Sequence, residues 1–95
     1  DTGWFATQGF PAPDAIRALK DVLRHIHLKD VRQAGEHHSV RLGGGIADIA
    51  GCIEAIREIG YDGTISIEQE SGDHDPTEEC AEALRWLKRE FPQET

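Results

Sequence analysis

Ile16, Leu19, Val22 and Leu23 recur at helical spacing, after a start marked by Pro11, Pro13 and Asp14. Proline is tolerated in a first helical turn, and an acid suits the positive helix end. An amphipathic helix of about three turns is expected there. From His25 to Val31 the period drops to two: Ile26 and Leu28 point one way, His25, His27 and Lys29 the other. Residues 32–45 are polar and end in Gly43-Gly44-Gly45, which reads as a loop. Ile49, Cys52, Ile53, Ile56 and Ile59 return to helical spacing, with Asp48 as a cap and Gly60 as a stop. Tyr61-Asp62-Gly63 is a turn. From Thr64 to Gln69 the period is again two, Ile65 and Ile67 against Thr64, Ser66 and Glu68. Ser71 to Asp75 form an acidic loop. Pro76 then opens a third helix, striped by Cys80, Ala83, Leu84, Leu87 and Phe91. A further strand end is expected ahead of Trp4.

Strands that alternate with helices of this length indicate βαβ units and a parallel sheet. The fold class is therefore α/β. Both full strands are apolar on one face only, whereas a parallel strand covered on both sides is apolar throughout. That pattern suits a barrel, with helices over the outer face and an inner face leading to a site at the strand C-termini.

Ninety-five residues suffice for one small domain. The net charge is −8, and the excess is lopsided: residues 63–95 hold nine acids and three bases. A nucleic-acid partner, which asks for a basic face, is disfavoured. No apolar run approaches a membrane span, so no membrane partner is expected. Cys52 and Cys80 each fall on the apolar face of a helix, which predicts buried free thiols and a cytoplasmic location. The chain opens at Asp1 inside a motif, which points to a piece of a longer protein.

Asp1, His27 and Glu68 each stand at or near the C-terminal end of a strand. In a parallel α/β fold such ends converge on one face. One imidazole with two carboxylates is a mixed nitrogen and oxygen set suited to Mn²⁺, Mg²⁺, Zn²⁺ or Fe²⁺. The same residue types also occur at strand ends merely solvated or hydrogen-bonded.

Five segments in series resemble one family: Asp1-Thr2-Gly3, His27-Leu28-Lys29-Asp30-Val31, Leu42-Gly43-Gly44-Gly45-Ile46, Gly60-Tyr61-Asp62-Gly63 and Ser66-Ile67-Glu68. Together they look like the C-terminal motifs of the sugar phosphate isomerase/epimerase superfamily, the xylose isomerase-like (β/α)₈ TIM barrels. That group includes inosose isomerases and dehydratases, hydroxypyruvate isomerase and ketose 3-epimerases. The resemblance implies that residues 1–95 are the closing part of one barrel domain, from the end of strand six through helix eight. It also implies one divalent metal held by Glu, Asp, His and Glu from four strands. Asp1, His27 and Glu68 match three of these ligands, and the other Glu lies before residue 1. The implied activity is metal-dependent sugar isomerisation or epimerisation through a metal-stabilised enediolate, with Glu68 as the general base. The implied substrate is a small sugar, sugar phosphate or inosose. The isolated segment is expected to be inactive, and either to self-associate or to pair with its missing N-terminal part.

Two positions depart from the family pattern. Trp4 stands where His is usual, and Gly44 where Glu is common. Trp4 either stacks on a sugar face or simply packs. Lys29 contacts a substrate hydroxyl or phosphate, or forms an ion pair with a nearby carboxylate. Arg41 grips an anionic substrate or lies in solvent. His25 is read as a hydrogen-bonded neighbour of the site, and His37, His38 and His74 as solvated loop residues. A non-catalytic barrel module is the alternative reading. A third is the endonuclease IV branch, which cleaves DNA at abasic sites with three zinc ions. It requires further His and Asp ligands where this chain has Trp4, His37 and Ser39.

Overall fold

Asp1 caps a helix. In the computed structural model, which describes residues 1–36, 38–69 and 74–91, the Asp1 carboxylate accepts a hydrogen bond from the Trp4 amide at 2.9 Å and starts α1, Thr2–Thr7. An aspartate satisfying an orphan amide in the first turn is sufficient reason for the helix to begin there. Among the described residues, no strand is assigned ahead of Trp4.

The second helix is shorter than its apolar spacing predicts. It runs Ala12–Ala18 and ends at Leu19. The chain then continues in tight turns, with the Val22 and Leu23 amides both bonded to the Leu19 carbonyl. Ala12, Ala15 and Ile16 are buried, whereas Leu19 and Val22 are exposed. Strand β1, His25–Leu28, follows as the two-residue period requires. It pairs in parallel with β4, Thr64–Ile67, placing His27 opposite Ser66 and Leu28 opposite Ile67. The ladder reaches one step further, the Glu68 amide donating to the Leu28 carbonyl at 3.0 Å.

The alternation of exposure ends at Leu28, since Leu28, Lys29, Asp30 and Val31 are all buried, and the pairing changes at Lys29. Asp30–Val31 form β2, antiparallel to β3, Ser39–Val40, inside the stretch read as loop. Helix α3, Ile49–Glu58, is capped by Asp48, whose carboxylate accepts from the Gly51 amide at 3.1 Å. Gly60, at φ +67°, takes the left-handed turn that closes it. Helix α4, Thr77–Glu90, starts after Pro76 as expected; Ala83 and Leu87 face inward while Leu84 is exposed.

The core lies between β1 and the helices. Ile26 and Leu28 pack with Ile49, Cys52, Ile53 and Ile56 of α3 and Ile16 of α2. His25, His27 and Lys29 occupy the alternate positions of the chain, so burial of the isoleucine and leucine aims the polar set at the opposite side of the sheet. The architecture is α/β, with parallel strands covered by helices on one face.

Candidate metal centre

The β1–β4 register places His27 and Glu68 side by side. His27 Nδ1 lies 3.3 Å from Glu68 Oε1. The cap position brings Asp1 to the same point: one ligand atom from each of Asp1, His27 and Glu68 lies within 4.8 Å of the others. Oxygen and nitrogen donors about 2.1 Å from a common ion stand about 3 Å apart at right angles. The spacing and the donor chemistry therefore fit a divalent cation. One Asp1 oxygen is held by the Trp4 amide, which orients the carboxylate and leaves the other oxygen available.

Lys29 supplies the local positive charge. Its side chain is only 3 % exposed, and Nζ lies 3.8 Å from Glu68 Oε2. A buried ammonium needs such a counter-charge. The indole of Trp4 adds a second stabilising contact, with Nζ 5.8 Å from the ring centre.

The stem of Lys29 is threaded past α1. A Cβ on Gly3 would meet Lys29 Cγ at 2.8 Å. Thr2 accepts from the Lys29 amide at 2.9 Å and donates to its carbonyl at 2.7 Å. Asp1-Thr2-Gly3-Trp4 thus provides, in order, a metal-type ligand, a backbone clamp, clearance for a side chain and an aromatic cover.

The remaining candidates fall elsewhere. Arg41 Nε lies 2.9 Å from Glu82 on α4, so the structure directs it to the outer helix and not to the Asp1–His27–Glu68 group. His25 bonds Ser66 at 2.7 Å and its ring lies tilted against that of His27 with ring centres 4.4 Å apart, as a neighbour of the site. His74 meets Glu79 at 2.6 Å. His37 and residues 71–73 of the acidic loop lie outside the described residues. Cys52 and Cys80 are free, Cys52 fully buried and Cys80 partly so. Burial pushes the Cys52 thiol up to about 12, which keeps it protonated and chemically quiet.

Sequence reasoning assigned no role to Thr2 or Asp30. Asp30 is wholly buried, and its two oxygens accept from four backbone amides: Val31 and Ala47 on Oδ1, Gly43 and Gly45 on Oδ2. The signal was available, since an acid at a strand end followed by a glycine run is a match of anion and amide nest. The glycine loop is filled from within by this carboxylate.

The chain matches the xylose isomerase-like TIM barrel family over residues 1–90, and it belongs to that family. Two curated relatives are inosose dehydratases, one of Lacticaseibacillus casei and one of its strain BL23. Each is 33% identical over 105 residues, covering 92% of this chain and 35% of the relative. The chain thus spans about a third of the length of the curated relatives it matches. Among the described residues, no helix is long and apolar enough to cross a membrane.

Proposed function

We propose that Asp1, His27 and Glu68 hold one divalent metal in a barrel enzyme that isomerises, epimerises or dehydrates a small sugar, sugar phosphate or inosose. The observation that carries this reading is the meeting of the three ligand atoms within 4.8 Å. Family membership and the dehydratase relatives support it. A bound Mn²⁺, Mg²⁺, Zn²⁺ or Fe²⁺ would polarise the substrate carbonyl and offset the negative charge that develops on its oxygen.

The chain's own residues do the rest. Glu68 removes the proton from the carbon beside the carbonyl. In isomerisation it returns that proton to the neighbouring carbon, and in epimerisation Glu68 keeps it while the other Glu, carried by the preceding part, delivers a proton to the opposite face. In dehydration Glu68 passes that proton to the hydroxyl departing from the next carbon, so that water leaves. Lys29, aimed at Glu68, contacts a substrate hydroxyl or phosphate. Trp4 borders the same space with its exposed indole. On this reading residues 1–95 form the closing part of the barrel, from the end of strand six through helix eight, in a cytoplasmic enzyme. They are completed by a preceding part that carries the other Glu, and are inactive alone.

The test uses the whole protein. Mn²⁺ titration is followed by solvent-deuterium exchange into a ketose or inosose substrate. One ion bound per chain, with exchange abolished by Glu68→Gln, is the expected result. Absence of metal uptake, or exchange untouched in Glu68→Gln, overturns the proposal in favour of a non-catalytic module.

A further inference from the structure

We infer that Asp30 is a positioning residue for the metal centre. Its carboxylate is the internal anion that ties the glycine loop to the end of β1 and so holds His27 and Lys29 in register with Glu68. This rests on the reading of Asp1, His27 and Glu68 as the metal-holding group.

The argument begins with burial. Asp30 has no exposed surface, and a carboxylate in that position is stable only when its oxygens are fully bonded. Four amides do this, three of them from residues 43–47. The loop is shaped to the carboxylate, because a Cβ on Gly45 would lie 2.5 Å from Asp30 Oδ1 and 2.0 Å from the Val31 carbonyl oxygen. The Ile46 amide also donates to that Val31 carbonyl at 2.8 Å. The strand is held equally on its other side. Leu28 accepts from Glu68, and both backbone groups of Lys29 are bonded to Thr2.

Every residue from 28 to 31 is therefore anchored, and His27 is the next residue back. At β1 the parallel ladder ends and the antiparallel β2–β3 pair begins, so the strand changes partners at Lys29. A strand that changes partners has no continuous ladder to fix its end. Asp30 supplies the missing restraint through side-chain bonds. Groups bonded directly to metal ligands typically change metal affinity about 10- to 100-fold when removed, and Asp30, which acts on His27 through the backbone between them, is expected at the lower end of that range.

Two variants approach the same bonds from opposite ends. Asp30→Asn removes the charge and places an amide against amide donors. Gly43→Ala keeps the carboxylate but strains the donor at φ +91°. Both are compared with the unaltered whole protein for His27 ring resonances without metal, and for Mn²⁺ affinity by the electron paramagnetic resonance of free Mn²⁺. Shifted His27 resonances with roughly tenfold weaker Mn²⁺ binding in Asp30→Asn, and a smaller change in Gly43→Ala, are expected. Should Asp30→Asn not fold, Gly43→Ala decides alone. A lower melting temperature with unchanged His27 resonances and unchanged Mn²⁺ affinity would reduce Asp30 to a stabilising residue and overturn the inference. If the unaltered protein itself takes up no Mn²⁺, the metal reading fails, while the ring resonances still decide whether Asp30 positions His27.

Discussion

The hydroxyl of Thr2 sits between the two backbone groups of Lys29, donating to the carbonyl at 2.7 Å and accepting from the amide at 2.9 Å. Residues 27 positions apart are thereby locked where α1 crosses the end of β1. All of these groups are buried, so no water replaces the hydroxyl if it is lost.

Thr2→Val keeps the shape and removes both bonds. A buried amide and a buried carbonyl are left unpaired, at a cost of about 1–3 kcal/mol each before relaxation. Urea denaturation of the whole protein should show a lower midpoint with an unchanged slope. A midpoint equal to that of the native sequence would mean that the clamp contributes nothing.

Gly45→Ala should be the more damaging change. Its Cβ would stand 2.0 Å from the Val31 carbonyl oxygen, a backbone atom that cannot step aside. Overpacking of this kind typically costs about 1–3 kcal/mol or more. Gly9→Ala offers the comparison, since a Cβ there meets nothing within 4 Å, although its φ of +78° still strains an alanine. Thermal melts should rank Gly45→Ala well below Gly9→Ala.

Lys29→Met separates two effects of one charge. The ammonium 3.8 Å from Glu68 opposes a cation at the same carboxylate. Its removal should tighten Mn²⁺ binding several-fold, while turnover falls if Lys29 makes the substrate contact proposed above. Calorimetric titration and initial rates measure the two separately. Weaker metal binding in Lys29→Met would contradict the proposed electrostatic arrangement.

Cys52 predicts a pH dependence. Burial raises its thiol to about 12 from an ordinary value of 9.0. Between those values the folded chain keeps a proton that the unfolded chain has released. Stability therefore falls as pH rises across that window, and is unaffected by this group below it. The difference in stability between the native sequence and Cys52→Ala should be constant up to about pH 8 and shrink as pH rises above it. At pH 8 in the absence of denaturant, iodoacetamide should spare Cys52.

Much of this was legible in the chain. The spacing of Ile49, Cys52, Ile53 and Ile56 defines a helix because burial of one face repeats at its turn. Ile26 and Leu28 define a strand for the same reason at period two. Leu19 and Val22 misled, because helical spacing signals apolar contact but not which turn unwinds at a helix end. Asp1 was legible as a ligand type but not as a cap, since the capping bond depends on the Trp4 amide turning back toward it.

The sequence alone determined the chemistry of the candidate site: two carboxylates, an imidazole and a lysine, in the motif order of one barrel family. Only the tertiary structure decided which partners those residues take. It paired His27 with Glu68 through strand register, turned Arg41 away to Glu82, and gave Asp30 the amides of a loop more than ten residues on. The reason is physical. Side-chain periodicity is local and can be read along the chain, whereas a hydrogen bond or an ion pair needs two groups within about 3–4 Å, and that distance is set by packing.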